Sequence, residues 1–189
     1  MAKVFVITGP SGVGKGTLIR ELLQAVPDLE LSVSATTRSP RQGEVNARDY
    51  HFLTPEQFEQ RVEEKDFLEF AAYSGNRYGT LRSEVERRLE AGRSVVLEIE
   101  VQGAQQVRAA EPDSIQIFIA PPDPAVLRER LSARGTDSQE AISERLKVAE
   151  QELAAQGDFD HCVVNDEVSR AAAELVTIVR SELGQAPTT

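Results

Sequence analysis

Residues 9–18 read GPSGVGKGTL, one position away from the pattern G-x-x-x-x-G-K-[ST]: Gly9, Gly14 and Lys15 are in place, and Gly16 stands where the pattern has a hydroxyl. The stretch follows VFVIT, residues 4–8, a short β-branched apolar run. It opens a helical pattern of Leu18, Ile19, Leu22, Leu23 and Val26, spaced three to four apart. A strand, a glycine-rich turn and a helix N-terminus in succession converge backbone N–H groups on one point, which suits phosphate oxygens. Gly9, Gly12 and Gly14 allow the backbone to come close, and Lys15 adds a point charge against the outer phosphates of a nucleoside triphosphate. Gly9, Pro10, Ser11, Gly12, Val13, Gly14, Lys15, Gly16 and Thr17 are therefore the candidate triphosphate site.

Outward from this loop, apolar runs like the first recur as VVLEI, IQIFIA and HCVVN, in the style of strands buried on both faces of a parallel sheet. Helical spacing recurs at Leu81, Val85 and Leu89; at Leu127 and Leu131; at Ile142, Leu146 and Leu153; and at Leu175, Ile178 and Val179. Thr54-Pro55 with Gln57, Asp123 before Pro124, and Asp137 with Glu140 supply helix starts. Alternating strand and helix predict a doubly wound α/β sheet. Two stretches interrupt the alternation: 34–80, polar and arginine-bearing, with DYHFL and one short helix, and ARGTDSQE at 133–140. Insertions of this kind carry binding surfaces.

At 189 residues, 40% hydrophobic and 28% charged, the chain can bury a core. No apolar run approaches a membrane span of about 18 residues, and no signal-peptide layout is present, so a cytoplasmic protein is expected. The net charge of −10 repels nucleic acid and acidic membranes, which requires a local basic cluster for any phosphate ligand. The single Cys162, in HCVVN, reads as a packed thiol, and His51 and His161 read as structural.

A basic cluster exists: Arg38 and Arg41 lie three apart, with Asp49-Tyr50 beyond them and Tyr78 and Thr80 in NRYGT. Two guanidinium forks and two phenols suit a dianionic phosphate monoester. A solvated loop with surface pairs such as Arg41 to Glu44 fits the same composition. GKGT also moves the hydroxyl one residue on, to Thr17, and this resembles the loop of nucleoside monophosphate kinases.

Over nearly the whole chain, from Lys3 to about Leu175, the sequence resembles the guanylate kinase family, in GPSGVGKGTL, TTRSPRQGEVNARDY, Glu69-Phe70, NRYGT, LEIEVQGAQQV, RLSARGTDSQEAISERL and VVND, in that order. The resemblance implies a P-loop kinase fold, α/β, with a parallel core sheet flanked by helices (1–33, 81–133 and 151–184). It also implies an inserted GMP-binding segment (34–80), a lid (134–150) and a tail (185–189), all in a single domain. It implies transfer of the ATP γ-phosphoryl to GMP, and to dGMP, with Mg²⁺. Arg38, Arg41, Tyr50 and Tyr78 then hold the GMP phosphate, and Ser34, Glu69, Thr80 and Glu100 surround the guanine. Lys15, Arg38 and the lid arginines Arg134 and Arg145 serve transfer, and Asn165 lies beside the adenine. The implied Mg²⁺ is held by phosphates and water, with Thr17 and Glu98 as candidate oxygen partners.

Two positions depart from the family pattern. Glu100 stands where Asp is more frequent, and Thr80 where some relatives have Ser. A carboxylate at 69 selects guanine in principle, since it only accepts and guanine offers N1–H and its 2-amino group side by side. Outside the motif, Glu69 reads as a surface charge. Two other functions fit the same fold: a protein-binding module that has lost phosphoryl transfer, which the presence of Lys15 and the lid arginines argues against, and a kinase for another nucleotide, which Glu69, Ser34 and Thr80 argue against.

Overall fold

The computed structural model describes residues 1–73, 75–127 and 139–185. Leu131, Arg134 and Asp137, all named above, lie outside the described residues.

The VFVIT run is strand β1, Val4–Thr8, and every residue of it is buried. It sits at the centre of a five-stranded sheet of order β2-β7-β1-β8-β9, with β2 at Leu29–Leu31, β7 at Ser94–Glu98, β8 at Ile115–Ala120 and β9 at His161–Val164. All four pairings are parallel. Successive side chains of a strand point to opposite faces. Phe5 and Ile7 pack with Leu18, Ile19 and Leu22 of helix α1, Lys15–Ala25, and with Leu175 and Val179 of the C-terminal helix, Val168–Glu182. Val4 and Val6 face the other way, onto Val85 of α3, Arg82–Glu90, and Ala104 and Val107 of α4, Val101–Ala110. Helices on both faces explain why the strand has no polar alternation.

The four apolar runs are strands β1, β7, β8 and β9. The sequence reading lacked β2, three residues long, and α4, whose inward face includes Gly103 and Ala104 and so carries a weak apolar signal. Asp123 Oδ1 accepts from Ala125 N at 2.7 Å, where a helical turn begins at 124.

The segment read as DYHFL and one helix is richer than that. It contains a second, four-stranded sheet of order β4-β3-β6-β5, built from β3 (Ala35–Thr36), β4 (His51–Phe52), β5 (Phe67–Tyr73) and β6 (Asn76–Leu81). β3 and β4 run parallel; β6 runs antiparallel to β3 and β5. Two-residue strands are too short to show a period, and the β5 register shifts between Phe67 and Glu69, which breaks its alternation. Helix α2, Pro55–Glu63, begins as expected: Gln57 N donates to Thr54 Oγ1 at 3.2 Å and Thr54 N to Gln57 Oε1 at 2.9 Å. Its Phe58 is stacked on Phe67 with ring centroids 4.4 Å apart. Helix α5, Gln139–Ala154, leads through a short 3-10 turn into β9, and α6 is Val168–Glu182. Among the described residues no helix is long and apolar enough to cross a membrane.

Candidate active site

The loop after β1 leaves the carboxyl edge of the sheet between β7 and β8, where open α/β sheets bind ligands. Two of its glycines have no substitute. Gly9 has φ 143°, and a Cβ there would lie 2.2 Å from the Ile119 carbonyl oxygen of β8. Gly14 has φ 100°, and its Cβ would lie 2.5 Å from Asn165 Nδ2. That Asn165 nitrogen donates to Val13 O at 2.7 Å, so the residue after β9 braces the loop from below. Gly16 differs: a Cβ there would meet only Glu98 Oε1, at 3.9 Å.

Lys15 Nζ donates to the Gly9 and Pro10 carbonyls at 2.5 and 3.3 Å. Burial pushes its pKa below the usual lysine value, while Glu98, Glu152 and Glu100 act in the opposite direction. Ser11, Thr17 and Glu98 line a recess in front of the loop together with Lys15.

Beyond the loop lies a cavity of about 720 Å³, lined on one side by Gly9, Ser11, Lys15 and Glu98 and on another by Glu144, Arg145, Val148 and Glu152 of α5. A neighbouring cavity of about 310 Å³ shares Ser34, Tyr50, Glu98 and Glu100 with it and adds Glu69, Tyr78 and Gly103. Ser34, Tyr50, Glu69, Tyr78 and Glu100, scattered over 67 positions of sequence, thus line one chamber. Glu69 is 6% exposed, and Thr80, 1% exposed, donates from Oγ1 to Glu69 Oε1 at 2.7 Å. Burial raises the Glu69 pKa, the Thr80 hydrogen bonds lower it, and Glu100 raises it.

The arginines separate. Arg38 makes a two-pronged pair with Glu44, Nη1 to Oε2 at 3.0 Å and Nη2 to Oε1 at 2.9 Å, and its guanidinium lies 5.3 Å from the Tyr50 ring centroid. The Glu44 hydrogen bond is the main reason its pKa rises. Tyr50 in turn meets Tyr78 edge-on at 6.2 Å. Arg41 uses its backbone N–H on Glu44 Oε2, at 2.7 Å, and is exposed at the outside of the segment. The pair drawn from sequence between Arg41 and Glu44 is therefore made by the Arg38 side chain instead.

The family model described as guanylate kinase matches residues 1–182 of this chain. The chain belongs to the guanylate kinase family. It is 53% identical to the guanylate kinase of Rubrobacter xylanophilus over 178 residues, covering 94% of this chain and 93% of the relative. Against the guanylate kinase of Synechocystis sp. it is 51% identical over 180 residues, covering 95% and 94%. The crystal structure of guanylate kinase from Anaplasma phagocytophilum superposes with TM-score 0.76 at 31% identity, covering 96% of this chain and 86% of that one.

Two residues of this family member were not singled out in the sequence. Glu152 faces the large cavity two helical turns after Arg145, and burial raises its carboxyl from an ordinary 4.5 to about 7, against the lowering effect of Lys15. Gly103 lies against Glu69. The three- and four-residue steps from Arg145 through Val148 to Glu152 were the available signal for the first; nothing local signals the second.

Proposed function

We propose that the chain transfers the γ-phosphoryl of ATP to GMP, giving ADP and GDP, with dGMP as a further acceptor. The observation that carries this reading is the buried, hydroxyl-held Glu69 in a chamber continuous with the Lys15 loop. An ionised carboxylate accepts from guanine N1–H and the 2-amino group, and it faces an acceptor nitrogen in adenine. Glu69 is the reader of the base, supported by Ser34, Thr80 and Glu100.

Lys15 and the backbone N–H groups of Gly9 to Thr17 hold the triphosphate, with Asn165 bracing the loop beside the adenine end. Arg38, Tyr50, Tyr78 and Arg41 hold the acceptor phosphate. For Arg38 and Arg41 this requires a turn away from Glu44 and from solvent, respectively. The acceptor is already a phosphate anion near neutral pH, so transfer needs no strong base and no covalent enzyme intermediate. Positioning and charge neutralisation by Lys15, Arg38, Arg134 and Arg145 carry it. The segment 34–80 and the lid 134–150 close over both substrates against the core (1–33, 81–133 and 151–184), excluding water, and 185–189 form a tail.

Among the described residues no cluster of three or more His, Cys, Asp or Glu could hold a metal by itself. The Thr17 hydroxyl and Glu98 carboxylate share the recess at the loop, an all-oxygen pair of the kind that suits Mg²⁺ completed by phosphates and water. Held by Thr17 and Glu98 with phosphates and water, Mg²⁺ would supply neutralisation of phosphate charge. The charge of −10 opposes nucleic acid and acidic membranes, and small anionic substrates are caught locally by Lys15 and the arginines, in keeping with a cytoplasmic enzyme.

The test is ADP release with GMP, dGMP, AMP, CMP and UMP offered in turn. GMP and dGMP are expected to be used far better than the rest. Equal use of AMP would overturn the assignment.

A further inference from the structure

Strand β5 is an edge of the second sheet, and an edge strand leaves backbone groups without a ladder partner. At Phe70 those groups meet a side chain: Phe70 N donates to Gln106 Oε1 at 3.2 Å, and Gln106 Nε2 donates to Phe70 O at 3.1 Å. The amide of α4 thus acts as a short strand and fixes α4 on β5 at one register. One helical turn earlier on the same face of α4 is Gly103. A Cβ at Gly103 would stand 2.7 Å from Glu69 Oε2 and 3.3 Å from its carboxyl carbon, far inside contact distance. Glycine is among the poorest helix formers, so local preference does not favour it inside α4. The space its missing side chain leaves is the space the Glu69 carboxylate uses. Thr80 holds the other oxygen, Oε1.

We infer that Gly103 and Gln106 of α4 are positioning residues that hold the Glu69 carboxylate where it reads the acceptor base, an inference that rests on the base-reading role proposed for Glu69. Because α4 also packs on β1 and β7 of the core through Ala104 and Val107, this contact sets the base chamber relative to the phosphate loop. Gly103 touches no part of the phosphate chemistry, so its effect is confined to the acceptor side.

The experiment measures kcat, KM for GMP, KM for ATP, kcat/KM with AMP as acceptor and Tm for the parent, Gly103→Ala, Gln106→Leu, Glu69→Ala and the double variant Gly103→Ala with Glu69→Asp. Gly103→Ala is expected to raise KM for GMP about tenfold or more, the scale of forcing a methyl into a filled site. KM for ATP should hold within about twofold, since no ATP contact is altered. Shortening the carboxylate by one methylene makes room for the new methyl, so the double variant should bind GMP better than Gly103→Ala alone. Gln106→Leu leaves the Gly103 space untouched and should raise KM for GMP by a smaller factor, which keeps the test open if Gly103→Ala fails to fold. An unchanged KM for GMP in both α4 variants, a parallel rise in KM for ATP, or a double variant no better than the single overturns the inference. A parent that prefers no guanine acceptor, or a Glu69→Ala variant that keeps the preference, overturns the base-reading role first, and this inference with it.

Discussion

The Thr80 hydroxyl donates to Glu69 Oε1 across 2.7 Å, with both side chains buried. The bond favours the ionised carboxylate, against burial, which raises its pKa. Thr80→Val removes the donor, so the Glu69 pKa rises further and the protonated acid, now a donor, opposes guanine N1–H. The acid limb of the kcat/KM profile for GMP should move to higher pH, with a loss of about tenfold near neutrality, while Thr80→Ser keeps the parent profile. An unshifted limb in Thr80→Val would separate this hydroxyl from base reading.

Lys15 places its ammonium at the loop itself, with Nζ 2.5 Å from the Gly9 carbonyl oxygen, where the outer phosphates are held. Lys15→Ala should lower kcat by about two or more orders of magnitude and leave the far-ultraviolet circular dichroism unchanged. Near-parent turnover would remove Lys15 from the transfer step.

The loop glycines should differ sharply from one another. Gly16→Ser places its Cβ in open space 3.9 Å from Glu98 Oε1, and should retain more activity than Thr17→Ala, which deletes the candidate Mg²⁺ oxygen. Gly14→Ala meets both φ 100° and the Asn165 amide at 2.5 Å, and should lose loop function altogether. Steady-state rates of the three variants across an Mg²⁺ titration give the ranking. Gly16→Ser as the most damaged would contradict it.

Glu152 carries a folded-state pKa of about 7 against an ordinary 4.5. Between these values the native chain binds more protons than the unfolded chain, so stability of the ligand-free protein falls as pH rises through that window. The separation corresponds to about 3 kcal/mol at about 1.4 per unit, reduced to about 1–2 because the side chain is partly solvated. Glu152→Gln should therefore raise Tm at pH 8 and change it little at pH 4.5. Equal gains at both pH values would mean that the charge on Glu152 carries no such penalty.

What the sequence made legible is local. VFVIT next to GPSGVGKG names a strand, a turn and a helix start within 18 residues, and Thr54 with Gln57 specifies a cap within four. β4 lies within DYHFL, which stood out in the sequence, but β3 escaped because two residues have no period; it exists through pairing with β4 and with β6, which begins 40 positions after β3 ends. Glu69 was suggested by family resemblance and not by its neighbours, because its burial depends on Thr80 from β6 and Gly103 from α4. Glu152 shares a helix face with Arg145 and Val148, but only the placement of α5 over Lys15 makes it half-buried and turns that face toward the cavity. Arg38 and Arg41 look equivalent in the string RSPR, but only Arg38 reaches over Tyr50.

The division between base reading and phosphate holding is tested most directly by kcat/KM for GMP and for AMP in the parent, Glu69→Ala and Arg38→Ala. Two hydrogen bonds to a charged acceptor, each worth about 1.5–3 kcal/mol, imply a loss of about 10² to 10⁴ for GMP in Glu69→Ala. AMP should change little or improve, because the carboxylate faces an acceptor nitrogen in the parent. Arg38→Ala should weaken both acceptors by about the same factor and keep the preference for GMP. Equal losses for GMP and AMP in Glu69→Ala, or a vanished GMP preference in Arg38→Ala, would contradict the assignment of the base to Glu69 and the phosphate to Arg38.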